Sequence, residues 1–330
     1  MGAGQLMERL GVDVPVVQAG MGGGAAGGAL AGAVSAAGGL GTVGIMAPRA
    51  FAQALGEARR RAGGKPVAAN LLRPFTRAAH VDACIAADVA AVVLHDGWPP
   101  RWVGRLQAAG IPVLATVGDA GQARAALDAG VDGLVAQGVE AGGHLVATEP
   151  LDAVLPAVLE QADGQPVLAA GGVADAADVR RLLAAGADAA VAGTRFLLTD
   201  ECGAHPAYKQ RVAAADRTVH TELFGLGWPL AHRVVPNALT ERWCTADTRG
   251  PSWLRRLEAR TGLVGRATPL SALGTMMALQ HAAVPLYGPG LPLEGMPDAS
   301  VDRTALYAGE SARRMHDVVP AADALARLAP

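Results

Sequence analysis

One short segment of the chain carries the residue types that proton transfer requires. Residues 137–144 read QGVEAGGH, so a carboxamide, Gln137, and an imidazole, His144, stand at the two ends of a glycine-rich loop. Gln137 can both donate and accept hydrogen bonds. The reference pKa of histidine is close to neutrality, so His144 can pass a proton or donate a hydrogen bond to a developing anion. A lone histidine is usually structural, but one that closes a Gly-Gly loop is not typical of a core. We therefore take His144 as the candidate catalytic residue.

Two later segments have the composition of a phosphate-binding site. Gly171 and Gly172 follow one apolar run, and Gly193 and Thr194 follow the next. Backbone amides of glycine can approach phosphate oxygens closely because no Cβ stands in the way. Either pair alone is equally well explained as an ordinary turn, whereas both pairs on adjacent strands predict a bound phosphate group.

All of these residues follow short apolar runs, which recur throughout the first 197 residues. We expect eight strands, near residues 15–18, 40–45, 66–70, 91–94, 111–114, 134, 166–170 and 189–191. Several are preceded by a helical segment that ends in glycine, the residue that caps helix C termini in the left-handed conformation. Continuous apolarity indicates strands buried on both faces, as in a parallel sheet. The α/β pattern predicts a (β/α)8 TIM barrel, with a doubly wound open sheet as the alternative.

The regular alternation ends near residue 200. Residues 201–300 contain three tryptophans and several charged stretches, and we expect a helical insertion or lid over the active site after strand eight. Residues 1–200 and 301–330 then form the barrel, with helical spacing from 305 to 316. Barrel active sites form at the carboxyl ends of the strands, so His95, after strand four, is a further candidate for substrate contact.

Composition narrows the classes of function. A net charge of −2 without a long basic run argues against a nucleic-acid partner. Three widely spaced cysteines predict neither a disulfide framework nor a metal site, and a reducing cytoplasm fits best. The uncharged stretch 19–48 is rich in glycine and is interpreted as a buried helix and strand, so we expect no membrane association.

These motifs together resemble those of the nitronate monooxygenases, once called 2-nitropropane dioxygenases. That family also includes flavin-dependent enoyl-acyl-carrier-protein reductases. The resemblance covers nearly the whole chain and lies in residues 18–21 (QAGM), 137–144, 170–173 (AGGV), 193–196 (GTRF) and 204–209 (AHPAYK). The EAGGH string is highly diagnostic of the family, whereas the glycine pairs alone are not.

The resemblance implies an FMN-dependent oxidoreductase that converts a nitronate or nitroalkane with O2 to a carbonyl compound and nitrite. His144 would be the catalytic base or hydrogen-bond donor. Apart from the resemblance, Met21 and His95 are the residues that we expect to contact the small-molecule substrate, because both follow barrel strands. The implied FMN contacts are Gly20, Met21, Asn70, Gln137, Gly142, Gly171, Gly172, Gly193 and Thr194.

Two alternative functions stay open. One is an NAD(P)H-dependent enoyl-thioester reductase that uses FMN, and the other is a barrel that binds a ligand without catalysis. The chain departs from the family at residues 145–146, where many relatives have a glycine two residues after the histidine. It also departs at residues 191–192, where a glutamine often precedes Gly193. These departures leave the substrate open, and the sequence also leaves homo-oligomer formation open.

Overall fold

Eight short parallel strands form the centre of the molecule. The computed structural model describes residues 5–245, 247–262, 270 and 273–330. The strands are β1 (Val16–Gln18), β2 (Gly41–Gly44), β3 (Val67–Leu72), β4 (Ala91–His95), β5 (Val113–Val117), β6 (Gly133–Gln137), β7 (Gly143–His144, outside the barrel), β8 (Val167–Ala170) and β9 (Ala189–Ala192). The sheet has the order β1-β9-β8-β6-β5-β4-β3-β2. It closes where the Leu40 N–H donates to the Val16 carbonyl and the Gln18 N–H donates to the Leu40 carbonyl, both at 3.0 Å. The predicted TIM barrel and its eight strands are confirmed.

Small apolar side chains explain how the barrel packs. A compact inner cluster takes residues from around the barrel, including Val17, Ala68, Leu114 and Leu168, and Leu6 of the first helix packs against them. A larger cluster fills the space between the strands and the outer helices. Alanine and valine dominate this larger cluster, which lets the helices approach the sheet closely.

Helices separate the successive strands. They are α1 (Gln5–Leu10), α2 (Gly28–Ala36), α3 (Pro48–Arg61), α4 (Ala78–Ala86), α5 (Pro100–Gln107), α6 (Ala120–Asp128), α7 (Leu151–Ala162), α8 (Ala176–Ala184) and the short α9 (Thr194–Leu197). The predicted C-cap glycines are confirmed, with positive φ at Gly38, Gly110, Gly130 and Gly186. No helix among the described residues is long and apolar enough to cross a membrane.

The segment 201–300 contains strands as well as helices. Its elements are α10 (Pro206–Ala213), β10 (Val219–Thr221), β11 (His232–Val234), the helices Ala238–Trp243, Ser252–Glu258 and Leu273–Ala278, and the 3-10 turn Asp298–Ser300. β10 pairs antiparallel with β11, which in turn pairs antiparallel with β7. The sequence pattern indicated helices alone, because strands of three residues are too short to show an alternating pattern.

The end of the chain returns to the barrel in a form that differs from the prediction. The helix expected over 305–316 is wrong, and only the 3-10 turn Glu310–Arg314 forms there. Residues 307–309 are not helical because they pack between the insertion and the barrel mouth. Tyr307 forms a bridge with Val234, and Gly309 lies against the backbone of Gly142. The final helix, Ala321–Leu328, packs on α2, α8 and α9.

Candidate active site

A cavity of about 480 Å³ opens at the carboxyl ends of the barrel strands, a size typical of pockets for small molecules and cofactors. Every site residue predicted from the sequence lines this cavity. These are Gly20, Met21, Asn70, His95, Gln137, Gly142, His144, Gly171, Gly172, Gly193 and Thr194. The structure therefore brings together residues that are spread over 175 positions of the chain, from Gly20 to Thr194.

The glycines of the cavity fall into two groups. A Cβ on Gly20 would lie 2.3 Å from the Cβ of Asn70, and one on Gly142 would lie 2.5 Å from the backbone nitrogen of Gly309. Both distances are far below van der Waals contact, so protein packing alone requires glycine at these two positions. The family resemblance implied a cofactor contact at both, but their packing explains the residue type without one.

The glycines of the two phosphate-type loops are different. Gly171 and Gly172 have φ of 141° and 69°, which favours glycine, and a Cβ on either would meet no described atom closer than 3.5 Å. Gly193 has φ of −103°, which any residue can adopt. Its added Cβ would meet, among the described residues, only the Cβ of Ala19 at an ordinary 3.7 Å. Neither backbone conformation nor packing against the described residues accounts for glycine at position 193.

Residues from the end of the chain complete the wall beside these loops. The Gly309 N–H donates to the Thr194 hydroxyl oxygen at 2.9 Å, and the Arg314 guanidinium donates to the Gly172 carbonyl at 2.9 Å. Tyr307 and the buried Ser311 also line the cavity. The sequence predicted neither Tyr307 nor Ser311 at the site.

His144 is held by its neighbours on several sides. Together with Gly143 it forms the strand β7, and in this strand His144 pairs with His232 of β11. The Gln137 amide donates to the His144 carbonyl at 3.3 Å, and the Gln137 carbonyl oxygen accepts the Val146 N–H at 2.8 Å. Gln137 therefore fixes the loop that carries His144, and both ends of its carboxamide already have protein partners.

Aromatic rings surround the imidazole. Trp228, from the insertion, stacks on His144 with ring centroids 3.7 Å apart and an angle of 12° between the planes. Tyr307 lies tilted at 5.2 Å. The sequence marked Trp228 only as part of the insertion. No local signal connects it to His144, because the two residues lie far apart in the chain.

Burial makes the two histidines of the cavity neutral. It lowers the pKa of His144 well below the usual 6.5, and the nearby His232 and His95 lower that pKa further. Burial also lowers the pKa of His95 to about 4. The Nε2 atoms of both rings are buried and have no hydrogen-bond partner among the described residues. Because an unpaired buried polar atom is costly, both nitrogens are suited to bind a ligand.

The rest of the cavity is largely apolar. From the barrel it receives Met21, Ile45, Met46 and Phe75, and from the insertion Trp228, Met277, Leu291, Leu293 and Met296. Asn70 donates to the Val93 carbonyl at 3.1 Å, and the Gln18 carbonyl oxygen accepts the Thr42 N–H at 2.9 Å. Among the described residues, no three His, Cys, Asp or Glu side chains are grouped in a way that could hold a metal ion.

Comparison with known proteins agrees with this geometry. The chain matches the profile of the family described as "Nitronate monooxygenase" over residues 4–82 and 72–330. A protein of Mycobacterium tuberculosis named "(3aS,4S,5R,7aS)-5-hydroxy-7a-methyl-1-oxo-octahydro-1H-indene-4-carboxyl-CoA dehydrogenase" is 35% identical over 252 residues, covering 72% of this chain and 67% of that protein.

Two solved structures share the whole architecture. FabK from Thermotoga maritima has a TM-score of 0.76 and 26% identity, covering 99% of this chain and 95% of that one. Nitroalkane oxidase from Streptomyces ansochromogenes has a TM-score of 0.76 and 27% identity, covering 98% and 96%. The profile match, which spans nearly the whole sequence, confirms the resemblance seen in the motifs: this chain belongs to the nitronate monooxygenase family and is an oxidoreductase.

Proposed function

We propose that this oxidoreductase uses FMN to oxidise nitronates with O2 to a carbonyl compound and nitrite. The observation that carries the proposal is the buried, unpartnered Nε2 of His144 inside a cavity with two glycine-rich loops. A neutral imidazole in an apolar site is a weak base but a good hydrogen-bond donor to an anion. A nitronate is already an anion and needs no base, so this setting favours nitronates over neutral nitroalkanes.

The residues at the cavity fit FMN. The loops at 171–172 and 193–194 offer backbone close to open space, which is what a phosphate group needs. Gly193 supports this assignment most strongly, since neither its backbone conformation nor its packing against the described residues requires glycine. When bound, FMN supplies the electron acceptor for the oxidation of the substrate.

The two imidazoles would bind and orient the substrate. The Nε2–H of His144 would donate to a nitro oxygen, and the Nε2 of His95 is a second polar atom for the same group. Donors aimed at developing charge in a site without water typically contribute about 10²–10³-fold to the rate. The stacked Trp228 and the hydrogen bonds from Gln137 limit the motion of His144, so that the donor is fixed before the substrate arrives.

A second candidate is oxidation or reduction of an acyl thioester, with NAD(P)H as the reductant in the reductive direction. The apolar wall contributed by Met277, Leu291, Leu293 and Met296 favours it, because a small nitronate does not need so much apolar surface. The relative named as a carboxyl-CoA dehydrogenase points the same way. In this reaction the Nε2–H of His144 would donate to the thioester carbonyl.

Anaerobic mixing tests both candidates on the purified, flavin-containing protein. We expect an alkyl nitronate to bleach the flavin absorbance and, after air is admitted, to yield nitrite. Bleaching by NADH but not by the nitronate, followed by turnover of an enoyl-CoA, would favour the second candidate. A colourless protein that does not take up added FMN would contradict both.

A further inference from the structure

Trp228 lines the first cavity. Its indole covers one face of the His144 ring at 3.7 Å, and the rings of Phe75 and His95 contact it edge-on, with centroids at 5.4 and 6.0 Å. The residue is only 5% exposed. A substrate therefore has no access to the covered face of His144 while the indole stays in place.

Asp96 holds this indole from the end of β4. The indole Nε1–H donates to the Asp96 carboxylate at 3.0 Å, a hydrogen bond strengthened by the charge of the acceptor. Asp96 has φ of 60°, a left-handed conformation that is uncommon for residues other than glycine, asparagine and aspartate. Its backbone carbonyl accepts the Arg73 Nε–H at 2.6 Å. The carboxylate thus occupies a fixed position from which it locates the ring of Trp228.

A second cavity, of about 1040 Å³ and more open, lies beside the first. In three pairs of consecutive residues, the first residue lines the first cavity and the second residue lines the second cavity. The members that line the first cavity are His95, His144 and Trp228, and those that line the second are Asp96, Leu145 and Pro229. At these places neighbouring residues of the chain line different cavities, and Trp228 has the largest side chain of the six.

We propose that Trp228 is a specificity-determining residue that confines the substrate to the first cavity, and that Asp96 is the positioning residue that keeps its indole on His144. This inference rests on the proposed function in that the substrate reacts beside His144. The chemical class selected is a small anion with a short substituent on the reacting carbon. Removing the indole would join the two cavities and admit long-chain anions.

Variants of Trp228 test this directly. Linear alkyl nitronates of increasing chain length are compared by kcat and KM in the wild type, Trp228→Ala and Trp228→Phe. We expect Trp228→Ala to move the preferred chain length upward, with KM falling at least about tenfold for the long nitronates. Trp228→Phe should move the preference less because it retains a stacking ring. Trp243→Ala is the matched control, since this tryptophan belongs to the same insertion but lines neither cavity.

Binding of inert linear carboxylates by titration calorimetry gives a readout that does not depend on nitronate turnover. In Trp228→Ala we expect each methylene added beyond the longest chain that the wild type accommodates to lower the Kd of the carboxylate by about fourfold. If the wild type fails to oxidise nitronates but this binding pattern appears, the proposed function fails and the role of Trp228 stands. An unchanged chain-length limit in Trp228→Ala would overturn the inference.

Variants of Asp96 test the positioning role. Asp96→Ala removes the acceptor for the indole N–H. The longest nitronate that this variant accepts should therefore approach the longest that Trp228→Ala accepts, and its KM for short nitronates should rise. Asp96→Asn should restore the wild-type limit, because its carboxamide oxygen accepts the same N–H and asparagine tolerates the left-handed conformation. A residue with a purely structural role would lower stability in Asp96→Ala without moving the limit, and that result would contradict the proposal.

Discussion

Acid should destabilise this protein through histidines that its interior keeps neutral. Burial lowers the pKa of His95 and of His232 to about 4, from the ordinary 6.5. The unfolded chain takes up a proton as the pH falls through 6.5, whereas the folded chain does not until about 4. Each ring therefore leaves the free energy of unfolding at its full value above pH 6.5. It lowers that free energy as the pH falls from 6.5 toward 4. The full loss corresponds to roughly 3 kcal/mol per ring, of which about 2 kcal/mol is lost by pH 5.

His95→Phe isolates one of these contributions. The change keeps a ring next to Trp228 and removes the titrating group, whose Nε2 has no partner among the described residues. Urea unfolding followed by circular dichroism, at about pH 7.5 and about pH 5, gives the free energy of unfolding of each protein. The wild type should lose about 2 kcal/mol more than the variant between these two conditions, because the variant lacks the ring that takes up a proton in the unfolded chain.

A packing change that removes no titrating group serves as the control for this experiment. Phe75→Leu alters another edge contact of Trp228, so it should lower stability at both pH values by the same amount. Equal losses between about pH 7.5 and about pH 5 in the wild type and His95→Phe would refute the argument that burial keeps His95 neutral.

Three further predictions concern the site itself. His144→Ala should retain bound FMN while turnover falls by at least about 10²-fold, and unchanged turnover, with flavin content checked by absorbance, would remove His144 from the reaction. Arg314→Ala should weaken FMN binding about fivefold in equilibrium dialysis, because the half-exposed guanidinium of Arg314 donates to the Gly172 carbonyl. An unchanged Kd for FMN would show that Arg314 does not hold the Gly172 loop in its binding position. Gly172→Val should lower the free energy of unfolding by at least about 1 kcal/mol in urea, since φ is 69° and a β-branched residue is strained there; stability equal to the wild type would contradict the strain.

The barrel could be predicted because its signals are local. Each strand lies in a largely apolar run, and glycines such as Gly110 and Gly186 end the preceding helices with positive φ. The candidate site followed from the same pattern, because the carboxyl ends of parallel strands meet at one end of a barrel. For this reason Asn70, His95 and His144 line one cavity although they are distant in sequence.

Other features depend on contacts between distant segments, which the sequence does not display. The hydrogen bond from Trp228 to Asp96 joins residues 132 positions apart. The strand β11 exists because it pairs with β7, and its three residues have no pattern of their own. The sequence also cannot separate glycines that pack tightly against protein, such as Gly20 and Gly142, from Gly193, where an added Cβ would make only an ordinary contact with Ala19.

The loop at Gly193 is proposed to hold FMN, and the flavin content of Gly193→Ala measures whether it does. The added Cβ meets only Ala19 at 3.7 Å among the described residues, so stability should stay within about 0.5 kcal/mol of the wild type. Gly104→Ala, a change on α5 into open space, is the control and should keep its flavin. We predict that Gly193→Ala is folded but purifies with little flavin and binds added FMN at least about tenfold more weakly, as expected when a close phosphate contact is lost. A folded Gly193→Ala protein with the full flavin content and the wild-type Kd would show that this loop does not hold the FMN phosphate.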